Sequence, residues 1–184
     1  MFTLPNVLTL IRIAFIPVLF VVLFFPGKLA SLFAAVLFMI ASLTDFFDGF
    51  LARRRNSVTR LGKVLDPLAD KLLISVCLIM LISVHQIPAW AVVIIVAREM
   101  AITGLRGAAA VEGLVIPAET LGKRKAAIQV MAVFFLLLHY QYFHVDSHQI
   151  GMVLLYVALL LTVWSGMVYF YRFSCVISNV RANQ

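Results

Sequence analysis

The chain has 184 residues, of which 64% are apolar and 12% charged, with a mean hydropathy of +1.07. That composition excludes a soluble globular domain, because too little polar surface remains to face water. The formal net charge of +7 raises nucleic acid as a partner, but basic residues beside apolar runs more simply report topology and contact with anionic lipid headgroups. No nucleic acid is expected.

A hydrocarbon core about 30 Å thick takes about 20 helical residues to cross. Apolar runs bounded by Pro, Gly or charge lie near residues 7–25, 29–52, 65–84, 88–106, 125–142 and 149–171. They predict an all-α integral membrane protein of six spans, one domain over residues 1–184. Pro5 and Asn6 precede the first span, and Pro17 inside it should bend that helix or sit where a neighbour satisfies the freed carbonyl. The first basic residue is Arg12, so the charged leader of a cleaved signal peptide is missing ahead of this run, which is expected to stay as a helix. In the third span, Pro67 fits the helix start with Asp66 as its cap. The long segment outside the spans runs from about Gly107 to Gly122, where Gly113, Pro117 and Gly122 argue against a continuous helix. Cys77 and Cys175 sit inside apolar runs, so they suggest packing or lipid contact, not a disulfide or a zinc site.

Charge fixes the expected orientation. The connections after the second and fourth spans and the C-terminal tail hold eleven basic residues: Arg53, Arg54, Arg55, Arg60, Lys63, Arg106, Lys123, Arg124, Lys125, Arg172 and Arg181. The other side has Lys28 and all four histidines, His85, His139, His144 and His148. The positive-inside bias therefore predicts both termini in the cytoplasm; the expected location is the cell's inner (plasma) membrane.

Four of the eight acidic residues, Asp45, Asp48, Asp66 and Asp70, fall within 26 positions at the cytoplasmic ends of the second and third spans. On helices the pairs are spaced i, i+3 and i, i+4, so each projects from one face. The short connection makes the two helices antiparallel neighbours, turning the pairs towards each other across a cleft. An Asp at mid-membrane costs about 2.5 to 3.5 kcal/mol, so four near the interface need cationic compensation. Arg53, Arg54 and Arg55 can supply part of it as salt bridges. Four hard oxygen ligands on two rigid helices better suit two Mg²⁺ or Mn²⁺ ions, the arrangement that assists phosphoryl transfer.

The full pattern is Asp45, Asp48, Gly49, Ala52, Arg53, Gly62, Asp66 and Asp70, eight specified positions in 26. It resembles the signature of the CDP-alcohol phosphatidyltransferases at every position. The resemblance implies a six-helix membrane enzyme that moves a phosphatidyl group from CDP-diacylglycerol to an alcohol and releases CMP. It also implies that Asp45, Asp48 and Asp66 are metal ligands, with Asp70 a shared ligand or the general base; the base is the expected role. Gly49 and Ala52 lie one turn from Asp45 and Asp48, leaving a groove where a flat pyrimidine and ribose approach the backbone, and Gly62 opens the facing wall. Arg53 can fork onto diphosphate oxygens. The family also suggests a homodimer.

The acceptor must be read elsewhere. Arg98 lies within the fourth span beside Glu99, two turns before Arg106, and Lys123, Arg124 and Lys125 enter the fifth span from the same side. An intramembrane Arg is functional by default, although Arg98 with Glu99 also reads as a structural pair and the basic run as a topology signal. Together Arg98, Arg106, Lys123 and Lys125 form an expected phosphate pocket facing the metals. Pro5-Asn6 with Thr9 and Arg12, Thr44 to Lys71, Ala97-Arg98-Glu99 to Leu105-Arg106, and Gly122-Lys123 with Lys125 and Gln129 resemble the branch whose acceptor is glycerol 3-phosphate. Ala126 in place of an expected Thr, and Arg124 within the basic run, depart from it. Serine, inositol phosphate, choline or phosphatidylglycerol are rival acceptors. Intramembrane prenyltransferases also pair Asp motifs with Mg²⁺, but on well-separated helices. An ion transporter would carry its acids near the midplane, not at one interface.

Overall fold

The computed structural model describes residues 4–55, 60–111, 120–142 and 145–182, and side chains within 13–44, 69, 71–109, 122, 124–140 and 146–175. Six helices follow one another in this part of the chain: α1 (Leu4–Leu23), α2 (Lys28–Arg55), α3 (Arg60–Ser83), α4 (Ala89–Val111), α5 (Thr120–Leu138) and α6 (Ser147–Ala182). Two-residue strands, β1 (Gln141–Tyr142) and β2 (Val145–Asp146), pair antiparallel between α5 and α6.

Each predicted span falls on a helix, and the differences lie at the ends. The helix α3 begins at Arg60, so Pro67 stands inside it and does not open it. Its missing N–H leaves the Lys63 carbonyl without an intrahelical donor, a cost that tertiary packing can offset. The segment expected to be irregular from Gly107 to Gly122 is shorter. Ala108, Ala109 and Ala110 carry α4 through to Val111, and α5 has begun by Thr120, as the helix preference of alanine favours. Gly113 and Pro117 lie outside the described residues. The tail expected after residue 171 is helical to Ala182. Pro17 is carried within α1.

The ends of the elements have local causes. The α3 C-terminus closes by hydrogen bonds from Gln86 N to Leu81 O and from His85 N to Ile82 O, both 2.9 Å. His85 has φ 58°, so this is the left-handed cap usually given to glycine, here taken by a residue that tolerates it. Gly27, φ 138°, turns the chain from α1 into α2, a conformation only glycine adopts at low cost. Asp146 caps α6, its Oδ1 accepting from Gln149 N at 3.2 Å.

The helices pack as a ring, α1 against α2, α2 against α5, α5 against α6, α6 against α4, α4 against α3, and α3 back against α1, with α3 also touching α5 across the middle. The helices α5 and α6 cross closely, and a Cβ on Gly151 would stand 2.8 Å from Leu136 N. Among the described residues α2 and α3, the expected hairpin, meet lightly, and α1 packs against both.

One apolar core, including Phe38, Leu73, Leu78, Leu136 and Leu155, fills the ring towards the end that carries the histidines. The outside is apolar as well. On α6, Gly151, Leu155, Ala158, Thr162, Ser165 and Tyr169 turn inward, while Leu160 (71% exposed) and Trp164 (60%) face out. Residues 147–175 of α6 form a helix long and apolar enough to cross a membrane, the one such helix among the described residues by length and composition. A helix apolar all round, with one side exposed, is suited to hydrocarbon and not to water.

Candidate active site

Along α3 the inward residues change from Leu81, Leu78 and Ile74 to Ser75 and Lys71, and the next residue back is Asp70. The same change occurs at one level in the other helices: Ile95 gives way to Arg98 and Glu99 on α4, Val133 to Gln129 and Lys125 on α5, and Leu155 to Thr162 and Ser165 on α6. The polar layer therefore lies between the core and the end of the bundle where α2 and α3 carry the aspartate motif.

Glu99 organises this layer. Its Oε1 accepts from Arg98 Nη1 at 3.0 Å and from Lys125 Nζ. Lys71 Nζ donates to Thr103 Oγ1, which donates in turn to the Glu99 carbonyl at 2.7 Å. Lys125 and Gln129 are buried, at 4% and 3% exposure. Removing an ammonium from water to this extent costs several kcal/mol, and the Glu99 carboxylate offsets it. Arg98 and Lys125 share that carboxylate, so the pair and its counter-ion retain positive charge. Lys71, Ser75, Glu99, Lys125 and Gln129, together with Ile74, Ile95 and Ala126, line a small pocket between α3, α4 and α5.

The fourth wall is α6. Arg98 Nη2 donates to Ser165 Oγ at 2.9 Å, and Arg106 lies over the Tyr169 ring, 5.3 Å from its centroid. That placement is a cation–π contact. Three atoms on this seam, Arg98 Nε, Thr162 Oγ1 and Tyr169 Oη, are buried without a hydrogen-bond partner among the described residues.

The expected site residues divide into two groups. Arg98 and Lys125 come together on Glu99, and Arg106 stands two turns beyond Arg98 on the same helix, against α6. The pairing of Arg98 with Glu99 is thus present, with Lys125 as a third member. Asp45, Asp48, Gly49, Ala52 and Arg53 are on the last turns of α2, Gly62, Asp66 and Asp70 on the first turns of α3, and Lys123 on the first turn of α5. The side chains of these nine lie outside the described residues. Among the described residues, no three His, Cys, Asp or Glu side chains gather as a metal site. Sequence reasoning did not single out Thr103, Ser165 or Tyr169, and gave no role to Lys71 or Gln129. The signal was available for α6: Thr162, Ser165, Gly166 and Tyr169 recur at helical spacing as small or polar positions in an apolar run.

This bundle, with an acidic motif on two helices beside a buried basic layer, matches a family by sequence. The model of the CDP-alcohol phosphatidyltransferases matches residues 2–164. The chain belongs to that family. It is 47% identical over 182 residues to a Bacillus subtilis (strain 168) protein named CDP-diacylglycerol–glycerol-3-phosphate 3-phosphatidyltransferase, covering 92% of this chain and 94% of that one. Proteins of the same name from Rickettsia bellii (strain RML369-C) and Salmonella choleraesuis (strain SC-B67) are 40% and 38% identical, each alignment covering 91% of this chain and 93% of the relative.

Proposed function

We propose that this chain transfers the phosphatidyl group of CDP-diacylglycerol to glycerol 3-phosphate, giving phosphatidylglycerophosphate and CMP. The observation that carries this reading is the joint presence of the complete aspartate motif and, one layer deeper, Arg98 and Lys125 sharing the single carboxylate of Glu99. The motif serves the CDP end. The basic layer suits an acceptor that brings its own phosphate, and relatives of near-identical length carry a name that specifies this acceptor.

The donor set of Asp45, Asp48, Asp66 and Asp70, all carboxylate oxygens one helical turn apart on two helices, fits two hard divalent cations, Mg²⁺ or Mn²⁺. Ions bound there supply charge neutralisation at the diphosphate and at departing CMP. Arg53 orients the diphosphate as a planar fork, while Gly49, Ala52 and Gly62 leave room for the nucleoside against the helix backbone. Arg98, Arg106, Lys123 and Lys125 hold the acceptor phosphate, so that the free primary hydroxyl points at the phosphatidyl phosphorus. The hydroxyl oxygen forms the new P–O bond, the P–O bond to CMP breaks with its electron pair leaving on CMP, and Asp70 takes the hydroxyl proton. The proton transfers late, because a carboxylate is a weak base towards an alcohol and a loose transition state does not require early deprotonation.

The six helices cross the plasma membrane, with both termini and the aspartate end of the bundle on the cytoplasmic side, and the protein works as a homodimer. The apolar outer faces of the helices and the basic residues gathered at the aspartate end support this placement. To test the function, purified protein is given CDP-diacylglycerol, Mg²⁺ and a panel of alcohols, and the lipid product is identified. Turnover is expected with glycerol 3-phosphate alone and is lost on chelation, returning with Mg²⁺ or Mn²⁺. Robust product with serine or inositol phosphate overturns the acceptor, and CMP release that survives chelation overturns the metal reading.

A further inference from the structure

Arg98 reaches its position through a gap in α6. A Cβ built on Gly166 would stand 3.2 Å from both Cγ and Nε of Arg98 and 3.8 Å from Cδ, so the arginine stem lies directly on the glycine backbone. Beside it, Ser165 Oγ accepts from Arg98 Nη2 at 2.9 Å while donating to the Leu161 carbonyl at 2.6 Å. The hydroxyl proton is thereby committed to the helix backbone, and the oxygen is left as an acceptor for the guanidinium. The other side of the fork is held by Glu99 through Nη1. The guanidinium is pinned at two nitrogens by two different helices, and its stem is set by the missing side chain on α6.

We propose that Ser165 and Gly166 are positioning residues for the acceptor, acting through Arg98. This rests on the assignment of Arg98 to the acceptor phosphate. Gly166 is not there only to let two helices approach. The atoms nearest its absent Cβ belong to the Arg98 side chain and not to an α4 backbone, unlike Gly151, whose absent Cβ meets a backbone nitrogen of the neighbouring helix. A methyl at 166 meets a side chain that can move by a few tenths of an ångström, so the bundle survives and the fork is displaced. Bidentate recognition of a phosphate depends on that placement. A displacement of about 1 Å at a positioning group costs up to about a hundredfold in turnover efficiency.

The experiment uses the full chain in proteoliposomes, with acceptor and CDP-lipid KM measured separately for R98A, G166A, S165A and the double variant R98A/G166A, together with the thermal midpoint of each. G166A and S165A are expected to raise the glycerol 3-phosphate KM about tenfold. The CDP-diacylglycerol KM stays within about twofold, and the midpoint stays close to that of the parent. In the R98A background, where no fork remains to be displaced, adding G166A changes the acceptor KM by less than about twofold. If R98A itself leaves the acceptor KM unchanged, the assignment of Arg98 to the acceptor falls. If R98A raises it but G166A and S165A do not, or if the G166A effect persists undiminished without Arg98, the positioning role falls and Gly166 is a packing residue. Should G166A fail to fold, S165A, which adds no volume, decides the matter on the same readout.

Discussion

At the end of the bundle bearing the histidines, side chains are used to close open backbone. Ser31 Oγ donates to the carbonyls of Leu137 and Leu138, at 2.5 and 2.8 Å, fastening the start of α2 to the finish of α5. His148 Nε2 lies 2.9 Å from the Gln86 carbonyl and ties α6 to the α3–α4 turn. The polar layer near the aspartates is built differently. It buries a lysine, stacks an arginine on a tyrosine, and leaves Arg98 Nε, Thr162 Oγ1 and Tyr169 Oη without partners among the described residues. A buried polar atom left open costs about 1 to 3 kcal/mol. The first region ties helix ends together through backbone carbonyls; the second ties α3, α4, α5 and α6 together through charged and hydroxyl side chains, and under the proposed function it is where the acceptor phosphate is held. Substitutions in the two regions should therefore separate cleanly into stability effects and kinetic effects.

The largest kinetic effect belongs to Asp70→Asn. With the proposed proton acceptor removed, kcat is expected to fall about 10³-fold, the middle of the range for a general base, while the thermal midpoint stays near that of the parent. Lys125→Ala comes next. Loss of the proposed charge-assisted contact to a dianionic phosphate is expected to raise the acceptor KM about 30-fold, with the CDP-lipid KM little changed. Equal increases in both KM values would mean that the basic layer is a structural brace and that the division between the two ends fails. Lys123→Ala and Arg106→Ala are expected to follow the same split.

How much of this division was legible in the sequence follows from where each kind of information resides. Helix existence and the level of the aspartates could be read because apolar runs and i, i+3 spacing are local. Helix ends moved by several residues where local preferences opposed each other, as at Pro67, inside α3, and at Ala108–Ala110, which prolong α4. Arg98 and Lys125 were visible as charges in apolar surroundings, yet nothing local indicated that both would converge on Glu99, because that depends on how α4 and α5 pack around α3. Ser165 and Gly166 were harder still. In a membrane helix a serine beside a glycine is the ordinary composition of a packing face, and only the arginine lying across Gly166 separates this pair from that background. Ser31 was illegible for a different reason. Its acceptors are backbone carbonyls 106 and 107 residues away in the chain, and carbonyls carry no sequence signal.

Gly151→Ala sharpens the comparison from the structural side. The added Cβ would meet Leu136 Cγ at 2.7 Å and Leu136 N at 2.8 Å; a rotamer change can move the first atom but not the second, which is backbone. The two helices must separate. Overpacking of this kind costs about 1 to 3 kcal/mol, seen as a lowered midpoint in thermal or denaturant unfolding, with both KM values unchanged in the fraction that remains folded. A selective rise in the acceptor KM would show instead that the α5–α6 crossing is coupled to the basic layer through Lys125 and Gln129.

Ser31→Ala is the mildest of these changes and the most direct test of what the histidine end contributes. Removing the hydroxyl takes a donor from the Leu137 and Leu138 carbonyls at the C-terminus of α5, where intrahelical donors have run out. Side-chain hydrogen bonds between membrane helices are worth about 0.6 kcal/mol on average and up to about 1.7, and the bifurcated geometry at a buried site, with Ser31 5% exposed, places this one towards the upper part of that range. The expected result is a loss of about 1 kcal/mol, with kcat and both KM values within error of the parent, because α5 loosens at the end opposite Lys125. The helix is a stiff rod between the two, and its apolar inward residues between them, Ala132, Val133 and Leu136, are fully buried in the core. A tether lost at one end therefore has no mobile element through which to reach the other. A kinetic change in Ser31→Ala larger than its stability change would mean that α5 transmits strain along its length, and the two ends would then have to be treated as one site.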